Sequence, residues 1–286
     1  MVHKSSAWLL DPPNAIIIWT LRADCRQALS GIQLGGVPHT PFCPRTNVSI
    51  VFVDTVKVNV RHRLHPCEEG MDSLINAVKD AKSSMGEDDF SDLKIYVVDN
   101  GGQWTHREYR VIRDLGANVK IVPNDVPLSD ISDADGIVLS GGSPSVGLEP
   151  EKLGRSSAYL DGIAKPVLGI CVGHHFIAHH FGGRTGRGAG AEFGKAELEV
   201  IANEGILDGL PRRFRVWESH NDEVREAPPG FKVLASTKDC PVEAMMSLTR
   251  PIFSLQFHPE VDETEFGVDI FRNFLRKVAE WKSRAM

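Results

Sequence analysis

A cysteine between two glycines, in the run PVLGICVGHH from Pro166 to His175, is the feature of this 286-residue sequence best suited to chemistry. A thiol is mostly protonated at neutral pH, so a nucleophilic cysteine needs a nearby base and a group that orients the base. A second run far downstream, PIFSLQFHPE, ends with His258 and Glu260. Because one residue separates them, both side chains project to the same side of an extended segment. Cys171, His258 and Glu260 are therefore a candidate catalytic triad.

Cys171 is predicted to lie between a strand and a helix. The apolar residues 166–170 indicate a buried parallel strand, and residues 172–181 indicate a helix. Gly169 and Gly173 would let the chain turn sharply and let a substrate approach the backbone. This arrangement is that of a nucleophile elbow. The positive end of the helix dipole would also favour thiolate over thiol.

A glycine-rich loop could supply the donors that an acyl-transfer site needs. The predicted strand DGIVLS, residues 135–140, is followed directly by Gly141 and Gly142. Such a loop can turn backbone N–H groups toward an anion, and two donors must face the developing oxyanion. We predict that these donors are the N–H groups of Gly142 and Val172.

Three motifs resemble those of the class I, or triad, glutamine amidotransferases, which release ammonia from glutamine. They are SGG at 140–142, GICVGHH at 169–175 and QFHPE at 256–260. Further stretches resemble the glutaminase subunits of GMP synthases, in the form in which the glutaminase is a separate chain. They are residues 94–117, EFGK at 192–195 and WESHNDEV at 217–224. The resemblance covers about residues 93–282 in unbroken order.

The resemblance implies both a fold and a reaction. The fold would be an α/β, flavodoxin-like open twisted sheet that is mostly parallel, with helices on both faces and an added antiparallel segment. The reaction would be hydrolysis of L-glutamine to glutamate and ammonia, with the ammonia passed to a separate GMP synthetase subunit that converts XMP to GMP. That ATP-pyrophosphatase subunit would carry ATP and Mg²⁺ and form a heterodimer with this chain, which itself would need no cofactor.

The resemblance also implies residues that contact the substrate and the partner. Substrate contacts are expected at Gly141, His175, Ser219, His220 and Asn221. Carboxylates for the synthetase are expected at Asp222 and Glu223.

One motif departs from the family pattern, which usually reads G-x-C-x-G-x-Q and here ends at His175. An imidazole donates and accepts on opposite sides of a ring, whereas an amide presents both functions at one end. We therefore expect an altered glutamine affinity with the triad intact. Two alternatives follow: a γ-glutamyl hydrolase or glutaminase of another pathway, or a regulatory subunit whose site has decayed. WESHNDEV favours the amidotransferase over the hydrolase.

Neither a metal site nor an ATP site is expected on this chain. Of the histidines at 174, 175, 179 and 180, only His175 and His179 stand at i, i+4, and no cysteine or carboxylate set joins them at ligand spacing. SGGSPS resembles the phosphate loop of ATP pyrophosphatases but lacks its aspartate, and no Walker A motif occurs. Cys240 is interpreted as a residue of the core.

Composition is that of an intracellular enzyme. The apolar fraction of 42% suffices for a sizeable core, and the net charge of −6 gives no basic surface for nucleic acid. Five cysteines without paired spacing do not indicate a disulfide framework. Transmembrane and signal-peptide patterns are absent from the sequence, so we expect a cytoplasmic protein without membrane contact.

From Leu93 onward, apolar strands alternate with amphipathic helices, which predicts a parallel sheet covered on both faces. Strands are predicted at 94–99, 118–122, 136–140 and 166–170, and helices at about 104–115, 151–163 and 172–181. Extended segments follow Gly190, at roughly 195–201, 212–218, 231–236, 242–247 and 251–257. A helix over 265–281 is predicted from the spacing of Phe266, Ile270, Phe274, Val278 and Trp281.

Residues 1–92 are predicted to stand apart from the domain at 93–286. AIIIWTL and NVSIVFVDTVKVNV have strand character, whereas the acidic residues 84–92 suit a linker. Residues 1–92 are either a small accessory β domain or an extension ahead of a true start at Met71 or Met85. We favour the second interpretation.

Overall fold

The computed structural model describes residues 88–285 and, within residues 1–87, four strands. The chain divides into two units, Met1–Glu87 and Asp88–Met286, close to the predicted boundary. In the first unit, β1 (Trp8–Asp11), β2 (Ala15–Trp19), β3 (Asn47–Phe52) and β4 (His62–Arg63) form an antiparallel sheet in that order. Both predicted strand segments contribute to it. Met71 and Met85 lie outside the described residues.

The second unit is built on one sheet of nine strands, whose parallel half follows the predicted alternation. Its strands are β5 (Lys94–Asp99), β6 (Asn118–Pro123), β7 (Gly136–Leu139), β8 (Val167–Ile170) and β13 (Ile252–Leu255). They lie in the order β6-β5-β7-β8-β13 and all pair in parallel. The carboxyl ends of these strands therefore meet at one edge, where open α/β sheets bind ligands.

The antiparallel half continues the same sheet in the order β13-β12-β11-β9-β10. Its strands are β9 (Arg184–Val200), β10 (Arg213–Glu226), β11 (Phe231–Ser236) and β12 (Ala244–Ser247). β9 begins well before the predicted start at residue 195, because its glycine-rich first half pairs with β10 from Arg184 onward. Backbone hydrogen bonds across a hairpin do not need apolar side chains, so periodicity could not reveal this part of the strand.

Helices cover both faces of the sheet, as predicted. They are α1 (Thr105–Asp114), α2 (Ser156–Gly162), α3 (Val172–His180) and α4 (Gly267–Ala285). Ile95 and Val97 of β5 pack in one core with α1 and α4, whereas Tyr96 and Val98 pack in the other with α2 and α3. Of the helices in the described part of the chain, none is long and apolar enough to cross a membrane.

Three further predicted boundaries differ from the structure. The helix predicted over 151–163 is split into a 3₁₀ turn (Pro150–Leu153) and α2, because Gly154 has a φ of 55° and leaves no room for a side chain against Asn124. Phe266 precedes α4 with a φ of 61° and packs edge-on against Phe214. Residues 88–92 of the predicted linker belong to the folded unit, since Phe90 is buried.

Candidate active site

Cys171 carries the backbone strain of the strand-to-helix turn. Its φ of 50° and ψ of −105° place a non-glycine residue in a rarely populated region between β8 and α3. Its N–H donates to Leu255 O of the neighbouring strand at 2.8 Å, and the side chain is buried. The backbone at this residue therefore has the conformation predicted for a nucleophile elbow.

The flanking glycines lack the Cβ atoms for which this turn leaves no room, whereas its unusual backbone conformation lies at Cys171. Neither Gly169 nor Gly173 has a positive φ. A Cβ atom on Gly169 would lie 2.7 Å from Gly173 O, and one on Gly173 would lie 2.3 Å from Leu139 O. The glycines therefore let α3 approach β7 and β8 closely enough to hold Cys171 at the edge of the sheet.

His258 and Glu260 form a buried pair beside the thiol. His258 Nδ1 lies 2.6 Å from Glu260 Oε1, which leaves Nε2 for the hydrogen bond with Cys171. Burial by itself would lower the pKa of His258, but Glu260 and the thiol outweigh burial and raise this pKa well above its ordinary value. Trp104 packs edge-on against the imidazole, with ring centroids 4.4 Å apart. The pair thus favours an imidazolium next to the sulfur.

The loop after β7 lies against this pair. A Cβ atom on Gly141 would lie 3.3 Å from His258 Cε1 and 3.7 Å from Cys171 Cβ, so a larger residue would crowd the triad. Gly142 packs on Asn100 O, where a Cβ atom would come within 2.5 Å. Val172 is the first residue of α3, and N–H groups in a first helical turn have no acceptor inside the helix. The oxyanion-hole assignment of Gly142 and Val172 stays a prediction.

All these residues line one pocket of about 510 Å³ at the carboxyl edge of the parallel strands. Every residue predicted for catalysis, oxyanion stabilisation, substrate contact or partner coupling at Asp222 contributes to its wall. The residues come from β7, β8, α3, β10 and the segment after β13, which are distant in sequence. Their predicted chemical roles are not decided by this proximity.

The pocket also contains residues that the sequence analysis missed. Loop residues Gly101 to Trp104, at the carboxyl end of β5, form part of its wall together with Glu108 of α1. The sequence could have indicated this loop, because β5 is a predicted parallel strand that ends at the same sheet edge as β7 and β8. Nothing in the helical pattern of residues 105–114 distinguishes Glu108 from a solvated glutamate.

Glu108 is a buried carboxyl group, with only 1% of its surface exposed. Its Oε1 accepts the N–H of Gly141 at 3.3 Å, whereas its Oε2 has no hydrogen-bond partner among the described residues. Burial first, and the charge of Glu260 second, raise the pKa of Glu108 well above its ordinary value. The neutral acid is therefore favoured, which spares the triad a second negative charge.

We expect Glu108→Gln to stabilise the fold increasingly as the pH rises. Because the folded carboxyl has the higher pKa, the folded state binds more protons than the unfolded state between the two values, and the parent loses stability as pH rises through that window. Glutamine does not titrate, and each pKa unit corresponds to about 1.4 kcal/mol. Urea unfolding from about pH 4 to about pH 9 measures the difference, with the exposed Glu197→Gln as control. A difference that stays constant with pH would contradict the assignment.

His175 is a neutral residue inside the pocket wall. Its Nε2 lies 2.7 Å from Gln256 Oε1 and, as a donor, satisfies that oxygen. Burial outweighs this hydrogen bond and lowers the pKa of His175 to about 4. Gln256 Nε2 is buried without a hydrogen-bond partner among the described residues. The imidazole at the atypical position is thus bound to a side chain of the QFHPE motif.

The other histidines of the run make separate contacts. His174 is fully buried between Ser254 Oγ at 2.8 Å and Val242 O at 3.0 Å. His180 Nε2 lies 2.9 Å from Asp161 Oδ1 on the surface side of α3. Cys240 is fully buried, in agreement with its interpretation as a core residue, and burial together with Glu243 raises the pKa of its thiol.

The WESHNDEV segment forms the wall opposite α3. Asp222 Oδ2 accepts a hydrogen bond from Ser145 Oγ at 2.7 Å and thereby joins β10 to the glycine-rich loop. The His220 ring is buried between Asp222 O, 3.1 Å from Nδ1, and the carboxylates of Glu192 and Glu218, 3.3 Å from Nε2, which leaves its backbone for the predicted substrate contact. The prediction that Glu223 offers a carboxylate to a partner is wrong, because that side chain is buried.

Comparisons with known proteins agree with this geometry. The family model described as Glutamine amidotransferase class-I matches residues 96–278. A Thermoplasma acidophilum protein, named as one of the subunits of glutamine-hydrolyzing GMP synthase, is 51% identical over 190 residues, which are 66% of this chain and 95% of that protein. Its namesake from Thermococcus kodakarensis is 50% identical over 191 residues, or 65% of this chain and 99% of that protein.

Solved structures give the same picture for the fold. A crystal structure of a Thermoplasma acidophilum protein, described as a GMP synthase subunit, superposes with a TM-score of 0.65 at 50% identity, over 68% of this chain and 97% of that one. A glutamine amidotransferase from Thermotoga maritima superposes with a TM-score of 0.52 at 19% identity, over 67% and 83% of the two chains, and at that identity shows the fold alone.

Proposed function

Because this chain belongs to the class I glutamine amidotransferase family, we propose that it hydrolyses L-glutamine to glutamate and ammonia through Cys171, His258 and Glu260. The observation that supports this most directly is the buried His258–Glu260 pair, 2.6 Å apart, beside a cysteine held in a nucleophile elbow. The pocket at this point is large enough for an amino acid.

The proposed mechanism uses each member of the triad in turn. His258 Nε2 takes the thiol proton, and Cys171 Sγ forms a bond to the side-chain amide carbon of glutamine. The N–H groups of Gly142 and Val172 would hold the oxyanion of the tetrahedral intermediate. The imidazolium then gives its proton to the leaving nitrogen, and ammonia departs as the C–N bond breaks. Water attacks the γ-glutamyl thioester, with His258 as base, and releases glutamate and the thiol.

The ammonia would pass to a separate synthetase subunit. The two relatives named as GMP synthase subunits are matched over nearly their whole length, which supports a role in converting XMP to GMP. In this proposal the synthetase carries ATP and Mg²⁺ and forms a heterodimer with this chain. Cys171 and Cys240 are free thiols, which suits the reducing cytoplasm that we propose as the location.

Glutamate release from glutamine tests the function. We expect slow release by the chain alone and faster release when a synthetase subunit with XMP, ATP and Mg²⁺ is added. Full activity without the synthetase would favour a γ-glutamyl hydrolase or a glutaminase of another pathway. No release under either condition, with ammonia-dependent GMP synthesis intact, would favour a regulatory subunit.

His175→Gln should lower the KM for glutamine with a smaller change in kcat. An amide presents a donor and an acceptor at one end, so it can hold the substrate and still reach Gln256. One added net hydrogen bond is worth about 1 kcal/mol, or about fivefold in KM. Steady-state kinetics measures the effect, and His179→Gln on the exposed side of α3 is the matched control. A raised KM would show that the imidazole is the preferred contact.

Asp222→Asn should weaken the coupling between the synthetase and this site. Asparagine still accepts the hydrogen bond from Ser145 but removes the charge that a partner can engage. We expect the ratio of synthetase-stimulated to unstimulated glutaminase rates to fall by at least about fivefold, the lower end of typical coupling between sites. Ser145→Ala tests the loop contact separately, since it leaves the carboxylate in place. An unchanged ratio in Asp222→Asn would remove this residue from the coupling.

A further inference from the structure

Four polar side chains converge behind the pocket wall, in the antiparallel half of the sheet. This acidic cluster consists of Glu192 on β9, Glu218 and His220 on β10, and Glu243 just before β12, with the Cys240 thiol beside Glu192 and Glu243. Only 1% of Glu218, 0% of Glu243 and 4% of His220 is exposed. His220 and Glu192 are direct partners in the β9–β10 register, so their side chains lie on the same face of the hairpin.

The acidic cluster concentrates the unpaired polar atoms of the described residues. Among all the described residues, eight buried side-chain atoms have no hydrogen-bond partner, and five of these eight belong to the acidic cluster. They are Glu192 Oε2, both oxygens of Glu218, His220 Nε2 and Glu243 Oε2. A buried polar atom without a partner costs about 1–3 kcal/mol, and more if it is charged, so five atoms at one place require an explanation.

The outer oxygens and the outer ring nitrogen of the cluster have hydrogen-bond partners, whereas its inner atoms face one another. Thr237 Oγ1 lies 3.2 Å from Glu192 Oε1 and 3.4 Å from Glu243 Oε1. His220 Nδ1 lies 3.1 Å from Asp222 O, to which it donates, so Nε2 is the ring nitrogen that faces the cluster. That nitrogen points at Glu192 Oε2 and Glu218 Oε2, each 3.3 Å away. Histidines that ligate metals are oriented by the same kind of outer contact.

We propose that Glu218, His220 and Glu243, with Glu192 as a fourth ligand, form a binding site for a divalent transition-metal cation, with Zn²⁺ the best match. One ligand atom from each of Glu218, His220 and Glu243 lies within 4.8 Å of the others. An imidazole nitrogen with carboxylates suits Zn²⁺, which binds four such ligands tetrahedrally, whereas Mg²⁺ and Ca²⁺ prefer sites made of oxygen.

Protons are the alternative to a cation in this cluster. An imidazolium at His220 would share its Nε2 proton with Glu192 and Glu218, and burial together with Glu218 raises the pKa of Glu243 well above its ordinary value, so that a neutral Glu243 can donate to Glu218. A cation would replace both protons, contact an inner atom of Glu218, His220 and Glu243, and offset most of the negative charge. An access route exists, because a second pocket of about 610 Å³ is lined by Glu192, Glu218 and Thr237.

The proposed site is structural. It would tie the β9–β10 hairpin to the segment before β12 and so hold the pocket wall that carries Ser219 to Asp222. It differs from the expectation that this chain carries no metal, which rested on the histidine run of α3. Glu192, Glu218 and Glu243 are far apart in sequence, so ligand spacing could not indicate them.

Zinc binding is tested on the full chain carrying Cys171→Ala, which removes the thiol that would otherwise bind zinc with His258. The protein is stripped with a chelator, incubated with ZnCl₂, desalted and analysed for zinc by mass spectrometry. We expect Glu243→Gln and Glu218→Gln, each added to this background, to lose one zinc per chain relative to the background. Glu197→Gln, an exposed change on β9, should keep the full amount.

Thermal unfolding distinguishes loss of the site from loss of the fold. ZnCl₂ should raise the melting temperature of the Cys171→Ala background and of its Glu197→Gln derivative, and MgCl₂ should not. In the absence of zinc, Glu243→Gln should melt no lower than the background, because an amide has nearly the same shape as the buried carboxyl group and its NH₂ group can donate where Oε2 now has no hydrogen-bond partner among the described residues. Equal zinc content in all the variants, or an equal zinc-induced shift in Glu243→Gln, would overturn the proposal.

Discussion

Replacing Cys171 with alanine should reduce glutamine hydrolysis by at least about 10⁴-fold, a typical loss when a triad nucleophile is removed. The expectation follows from the local structure, since Cys171 is the one described cysteine that combines a strained turn, a helix N-terminus and an imidazole partner. Ammonia-dependent GMP synthesis by a synthetase partner should persist, because that reaction does not use the thiol. Glutamate release and GMP formation from added ammonium chloride measure the two activities separately.

Cys240→Ala is the matched control for this experiment. Cys240 is the other free cysteine of the described residues, and it is fully buried away from the pocket. Its variant should retain glutaminase activity in proportion to the folded fraction measured by circular dichroism. Glutamine hydrolysis that survives in Cys171→Ala, or that disappears only in Cys240→Ala, would contradict the assignment of the nucleophile.

The pocket could be located from the sequence because most of its predicted residues lie at or next to the ends of strands. Cys171 and Gly141 each follow a strand of the parallel half, and the topology of such sheets brings those ends together. Glu108 and the acidic cluster could not be located in this way. A glutamate on an amphipathic helix or a β-strand looks solvated in sequence, and only packing shows whether water reaches it.

The same contrast between local sequence pattern and tertiary packing explains which predicted helix and strand bounds were wrong. β5 and β11 match their predicted bounds, Lys94–Asp99 and Phe231–Ser236, because apolar residues extend over most of each strand. The first half of β9 is held by backbone pairing, and the end of the predicted helix at Gly154 depends on contact with Asn124. Contacts between residues distant in sequence leave no periodic signal.

His258→Ala should lower kcat for glutamine hydrolysis by about 10²–10⁴-fold, the usual contribution of a general base. Glu260→Gln should cost less, because the amide oxygen still accepts a hydrogen bond from Nδ1 at the position now 2.6 Å away. An unchanged kcat in His258→Ala would require another base. His174 and His220 are both unsuitable candidates, since Ser254 and Val242 occupy the nitrogens of His174 and Asp222, Glu192 and Glu218 occupy those of His220.

The pH profile of Glu260→Gln distinguishes an electrostatic role from a purely orienting one. Glu260 raises the pKa of His258, so its removal should lower that pKa and let the imidazolium lose its proton at a lower pH. The alkaline limb of kcat/KM should therefore move to lower pH in the variant, while the parent stays active further into the alkaline range. If Glu260 only fixed the tautomer, kcat/KM would fall equally at every pH and the limb would not move.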